Sequence, residues 1–134
     1  MKKLTYLLII FTLLFSSCNK KDNKKFIANE NITDLLNNAK KFKYNRKERI
    51  NFLDKVYSSL ENKKYDKALR NNYYNLAELY FKNKEKEKQL KTYRKILQRA
   101  DYSNDYDGII KSNCFIGSYY FAEFINDSAF YYFS

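Results

Sequence analysis

The chain has two cysteines and no histidine, and those counts limit the chemistry it can carry out. Thiolate and imidazole metal sites need clustered ligands, and Cys18 and Cys114 lie far apart with no histidine to join them. Asp101, Asn104, Asp105 and Asp107 crowd one short stretch ahead of Gly108. A calcium loop of the EF-hand kind needs a twelve-residue register closed by a distal glutamate, and this spacing does not supply one. Nucleophilic or hydrolytic catalysis needs a nucleophile with a base beside it. The carboxylates here are scattered over loops and helix faces, so no catalytic centre, no metal and no cofactor are expected. Cys114, followed by Phe115 and Ile116, reads as a small buried core residue.

The chain is instead rich in aromatic side chains, with 14 Tyr and 11 Phe, set in a repeating apolar pattern. The stretch Arg70 to Ala100 carries Tyr73, Leu76, Ala77 and Tyr80, then Leu90, Tyr93, Ile96, Leu97 and Ala100. Each set forms one stripe of a helix, with spacings of three, four and seven. A helical hairpin of this size needs neighbours to cover its stripes. The same pattern recurs 40 positions away on either side, in the columns Leu36, Leu76, Ile116; Ile50, Leu90, Phe130; and Leu53, Tyr93, Phe133. Ala77 aligns with Gly117 and Tyr80 with Tyr120. The small residues Ala77 and Gly117 are expected to let the paired helix come close.

Zero proline and two glycines leave little material for a turn-rich β architecture. The expected fold is therefore all-α: antiparallel helical hairpins stacked as a short α-solenoid over residues 31–134, about six helices, the last incomplete. The helices are placed at Asp34 to Lys43 (capped by Asn31 or Thr33), at Arg46 to Glu61, and in the central hairpin after an Asp66 cap. Asn83 and the run Lys84 to Lys88 are read as the polar break of that hairpin. Asp101 to Gly108 is read as a loop, and a fifth helix is placed at Ile109 to Phe124. Asn126 to Ala129 is read as a turn and cap before a sixth helix from Ser128. By the period, that helix would run on to about residue 140. Arrays close on a polar-faced helix, and Phe130 to Phe133 is apolar, so the chain is expected to be a truncated piece.

The formal charge is +11, but the basic residues are interleaved with acids, as in Lys84-Glu85-Lys86-Glu87-Lys88. Such alternation belongs to solvated helix faces, and no nucleic-acid partner is expected. Lys2 and Lys3 precede Leu4 to Phe15, twelve residues with only Thr5 and Thr12 polar. A spanning helix needs about 20 apolar residues, so this run fits a secretory signal instead. With Ser16, Ser17 and Cys18 after it, the segment resembles a bacterial lipoprotein precursor. The resemblance implies cleavage of residues 1–17, acylation of Cys18 and a polar tether over residues 18–30. It also implies a lipid-anchored place in a bacterial cell envelope.

Tyr73, Leu76, Ala77, Tyr80 and Tyr93, and then Ile116, Gly117, Tyr120, Ala129 and Phe133, fall at the spacing of the tetratricopeptide (TPR) pattern. Departures are Gln89 where Ala is usual, Asn113 where an aromatic is usual, and a period of 40 in place of about 34. More narrowly, the chain resembles the extracytoplasmic part of Bacteroidetes TPR proteins. Many of these continue into a histidine kinase or helix-turn-helix regulator. The resemblance implies a non-catalytic, membrane-tethered module that binds a peptide or protein partner. The other reading it allows is the sensory N-terminal region of a signalling protein. Carried over position by position, the family's groove falls on Asn71, Tyr74, Glu78 and Phe81, then on Lys111, Cys114, Ser118 and Phe121. The opposing expectation is that Tyr74, Phe81 and Phe121 only pack against the next hairpin.

Overall fold

The computed structural model describes residues 31–41 and 45–134. Cys18, the expected signal over residues 1–17 and the tether to residue 30 lie outside them. Among the described residues there are six helices and no strand: α1 (Ile32–Lys41), α2 (Arg46–Glu61), α3 (Lys67–Lys82), α4 (Lys86–Tyr102), α5 (Tyr106–Ala122) and α6 (Asn126–Phe133). Each helix packs on the next in the chain, and α1 also packs on α3. That is the neighbour-on-neighbour order of a short helical solenoid. None of these helices is long and apolar enough to cross a membrane.

The caps explain where the helices start. Asn31 takes the Thr33 amide at 3.1 Å, Asn45 the Glu48 amide at 3.0 Å, and Asp66 the Leu69 amide at 2.7 Å. Each satisfies one of the orphan donors of a first turn. α1 therefore begins two residues earlier than expected. The stretch Asp101 to Gly108 is not a loop: its first two residues finish α4 and its last three begin α5, which leaves a link of three residues. Asn126 to Ala129 is likewise helix from its first residue, and the central break narrows to Asn83–Glu85.

The last three links are one turn used three times. Lys84, Asn104 and Phe124 sit 20 residues apart at φ of 60°, 53° and 59°. In each, the residue after the left-handed one donates to a carbonyl five positions back: Glu85 to Tyr80 (2.9 Å), Asp105 to Ala100 (2.8 Å), Ile125 to Tyr120 (2.9 Å). The left-handed residue itself donates three positions back, to Phe81, Asp101 and Phe121. These are paired Schellman bonds, which reverse a chain without glycine at the cost of a left-handed side chain. The 40-residue period therefore comes from helices of 16 or 17 residues joined by three-residue links, not from a long loop.

The first column, Leu36, Leu76 and Ile116, is buried throughout. In the other two columns Leu90, Leu53 and Tyr93 are buried, but Phe130 and Phe133 are exposed. Among the described residues α6 packs chiefly on α5, which leaves the outer side of Phe130 open, while Phe133 keeps one side of its ring against α5. Gly117 acts as expected: a Cβ there would stand 2.7 Å from the Phe133 ring. Gly108 serves the link before α5, where a Cβ would meet Ala100 at 2.9 Å and Tyr65 at 3.0 Å.

Polar braces join successive hairpins. The buried Arg70 gives Nη1 to both oxygens of Asp105 (2.5 and 2.6 Å) and Nη2 to Asp107 (2.7 Å), while the Tyr65 hydroxyl donates to Asp105 at 2.9 Å. The acidic stretch thus holds an arginine. Tyr80 donates to Asp54 at 2.8 Å, and 40 residues on Tyr120 pairs with Arg94 at the equivalent site. Arg99 donates to the carbonyls of Leu60 (3.2 Å) and Lys63, closing the open end of α2.

Candidate functional site

A groove runs between α3 and α5 with α4 as its floor. Its larger lobe has a volume of about 480 Å³ and is lined by Tyr74, Asn75, Glu78 and Phe81 of α3, Gln89 and Tyr93 of α4, and Lys111 and Phe115 of α5. A second lobe of about 200 Å³ shares Phe81, Gln89, Tyr93 and Phe115 and continues past Ser118, Tyr119 and Ala122. The shared residues make the two lobes one open channel. The larger lobe falls in the size range of small-ligand and peptide sites.

Its floor is aromatic. Tyr93 and Phe115 stack with centroids 4.6 Å apart and planes 7° apart. Tyr74 leans on both, at 6.2 and 5.9 Å. Offset ring pairs of this kind contribute about 0.5–1.5 kcal/mol beyond their buried area, so the three rings hold one another in place. The Tyr74 hydroxyl lies 3.2 Å from Ser112 Oγ and 3.4 Å from the Gly108 carbonyl. Burial raises the Tyr74 and Tyr93 hydroxyls above their ordinary pKa, so both stay protonated through the neutral range.

The rim is charged. Lys111 Nζ stands 4.8 Å over the Tyr74 ring, a cation–π contact contributing about 0.5–1 kcal/mol. Glu78 accepts from Lys82 at 2.5 Å, and that ammonium holds its carboxyl below the usual range. Lys86 pairs with Glu123 at 2.5 Å across the mouth of the smaller lobe. The amides of Asn75 and Gln89 complete the lining and can pair with the backbone of an extended chain.

Of the eight expected groove residues, Tyr74, Glu78, Phe81, Lys111 and Ser118 line this channel. Asn71, Cys114 and Phe121 do not. Asn71 lies one turn too early on α3. On α5 the buried stripe is Gly108, Ser112, Ile116 and Gly117, so the groove edge runs along Lys111, Phe115, Ser118 and Ala122. Cys114 and Phe121 stand one column further round, and Cys114 is an exposed free thiol instead of a core residue. Its apolar neighbours in sequence misplace it, because two positions along a helix is 200° of turn. Tyr74 does pack on the next hairpin through Phe115 and Ser112. Phe81 and Phe121 stay 60% and 67% exposed.

Tyr93 and Phe115 of the floor, with Asn75, Lys86, Gln89, Tyr119, Ala122 and Glu123 around them, are the groove residues that sequence reasoning misses. Tyr93 belongs to a core column, and only the stacking of α5 on α4 turns its ring into a floor. The i, i+4, i+7, i+11 ridge from Lys111 to Ala122 was the available signal for Phe115. No protein-family model matches the chain, and no curated protein or solved structure matches it either.

Proposed function

We propose that this chain is a non-catalytic interaction module of the TPR kind, tethered to a membrane by lipid on Cys18. Its groove binds a segment of a protein partner. The observation that carries the reading is the pre-stacked aromatic floor of Tyr74, Tyr93 and Phe115 under an open, charge-rimmed channel. A floor already packed loses little entropy when a ligand lands on it, and exposed Phe81 offers an apolar wall for one anchoring side chain. Glu78 is ionised and engaged by Lys82, which suits a rim contact and not proton transfer.

Selection of random displayed peptides on the purified chain tests the groove. Peptides sharing an apolar anchor, displaced when Lys111→Glu reverses the rim charge, are expected. Enrichment that ignores Lys111→Glu would place binding elsewhere. The tether is tested by feeding expressing cells a clickable fatty acid. The chain should take up the label and sediment with membranes, and Cys18→Ser should lose both; a labelled Cys18→Ser chain would refute the anchor.

A further inference from the structure

The charges of the groove are sorted in a way that selects a ligand. Four charged side chains line its two lobes: Glu78, Lys86, Lys111 and Glu123. Both acids are already taken, Glu78 by Lys82 and Glu123 by Lys86, each at 2.5 Å. Asp107, one turn before Lys111 on α5, is taken by Arg70 at 2.7 Å. Lys111 is the charge left over. Among the described residues it is engaged with the Tyr74 ring, 4.8 Å from its centroid, and with no carboxylate. A ring face holds the ammonium in place without accepting the hydrogen bonds of its three donors. A basic segment would meet no free acid here. A carboxylate would meet Lys111 beside an aromatic floor, where an ion pair is screened less than in open water. The chain's own residues 19–25 hold four lysines and one aspartate, the wrong sign for this cation.

The two lobes also fix a distance. Lys111 lines only the larger one, at the Tyr74 end, and the smaller lobe is walled by Phe81, Phe115 and Ala122. Tyr74 to Phe81 is seven residues of α3, a rise of about 10 Å. Lys111 to Ser118 is the same rise on α5, so both walls give the channel one length. An extended peptide covers about 10 Å in three residues. We infer that the ligand of the groove is an extended acidic segment of a partner protein. One Asp or Glu of that segment pairs with Lys111, and a large apolar residue three positions away packs against Phe81. This rests on the groove being the binding site, as proposed above.

The test selects random displayed peptides on the full-length chain and sorts them by whether Phe81→Ala weakens them. Peptides that depend on Phe81 should share an acid three positions from a large apolar residue, in either chain direction. Changing that acid to its amide should weaken binding about fivefold to the wild-type chain and leave binding to Lys111→Gln unchanged. Lys111→Arg should restore the dependence on the acid. Lys111 is exposed, and helical circular dichroism of Lys111→Gln should match the wild type. The inference alone fails if Phe81-dependent peptides lack an acid, carry it at no fixed distance, or lose as much on Lys111→Gln when it is neutralised. A selection yielding no Phe81-dependent peptide would overturn the groove reading and this inference together.

Discussion

Asp105 does three jobs with one carboxylate. It caps α5 by taking the Gly108 amide at 3.2 Å, and it accepts from the Tyr65 hydroxyl and the buried Arg70. Partial burial works against its charge, but these three donors outweigh burial and hold its carboxyl below the usual range. A carboxylate whose folded pKa is depressed contributes stability that is complete above its unfolded pKa and is lost as pH falls through the folded value. Thermal stability should therefore be level near neutrality and decline below about pH 4. Asp105→Asn keeps the shape but leaves Arg70 without its main counter-charge. It should cost about 3 kcal/mol near neutrality and flatten the acid decline, both read by melts across pH. A variant with an unchanged acid profile would show that other carboxylates govern it. The sequence announced Asp105 only as one member of an acidic cluster. Its partners Tyr65 and Arg70 lie 40 and 35 positions away, a pairing no local spacing reveals.

At the scale of elements, the stripes were legible and the joints were not. Leu36, Leu76 and Ile116 sit where the 40-residue columns put them, because burial is what a 3.6-residue period records. The links were hidden because Lys84, Asn104 and Phe124 share a backbone conformation and nothing in their chemistry. Glycine usually marks this position, and here it is absent from all three. The density of Asp, Asn and Ser around Asn104 then makes a three-residue link look like a longer loop. Phe124 is the member with most to gain from substitution, since its ring is almost wholly exposed. Phe124→Gly removes a left-handed side chain at φ 59° and loses no core packing. It should stabilise the fold by about 0.5–1 kcal/mol in chemical denaturation, after the extra entropy of glycine in the unfolded chain is counted. A loss of stability would mean that the Phe124 ring is covered in solution.

At the scale of the molecule, each hairpin is supported by its neighbours, and the groove is a by-product of that stacking. Tyr93 is covered from one side by its own hairpin and from the other by Phe115 of the next, so one ring serves both core and floor. The groove was partly legible for this reason. Residues on the first helix of each hairpin could be placed by period, whereas the floor exists only once α5 lies on α4. It also explains why Phe81 and Phe121, similar in type and position within their repeats, differ in role. Phe81 lines the channel with the following hairpin, and Phe121 is not among the residues that line it.

That difference supplies the most direct test of the groove as the binding site. A peptide recovered by selection is titrated against the wild-type chain, Phe81→Ala and Phe121→Ala, two truncations of comparably exposed rings. Phe81→Ala should weaken binding about tenfold, equivalent to about 1.4 kcal/mol, while Phe121→Ala should leave it unchanged. Equal affinities for all three, or a loss confined to Phe121→Ala, would contradict it.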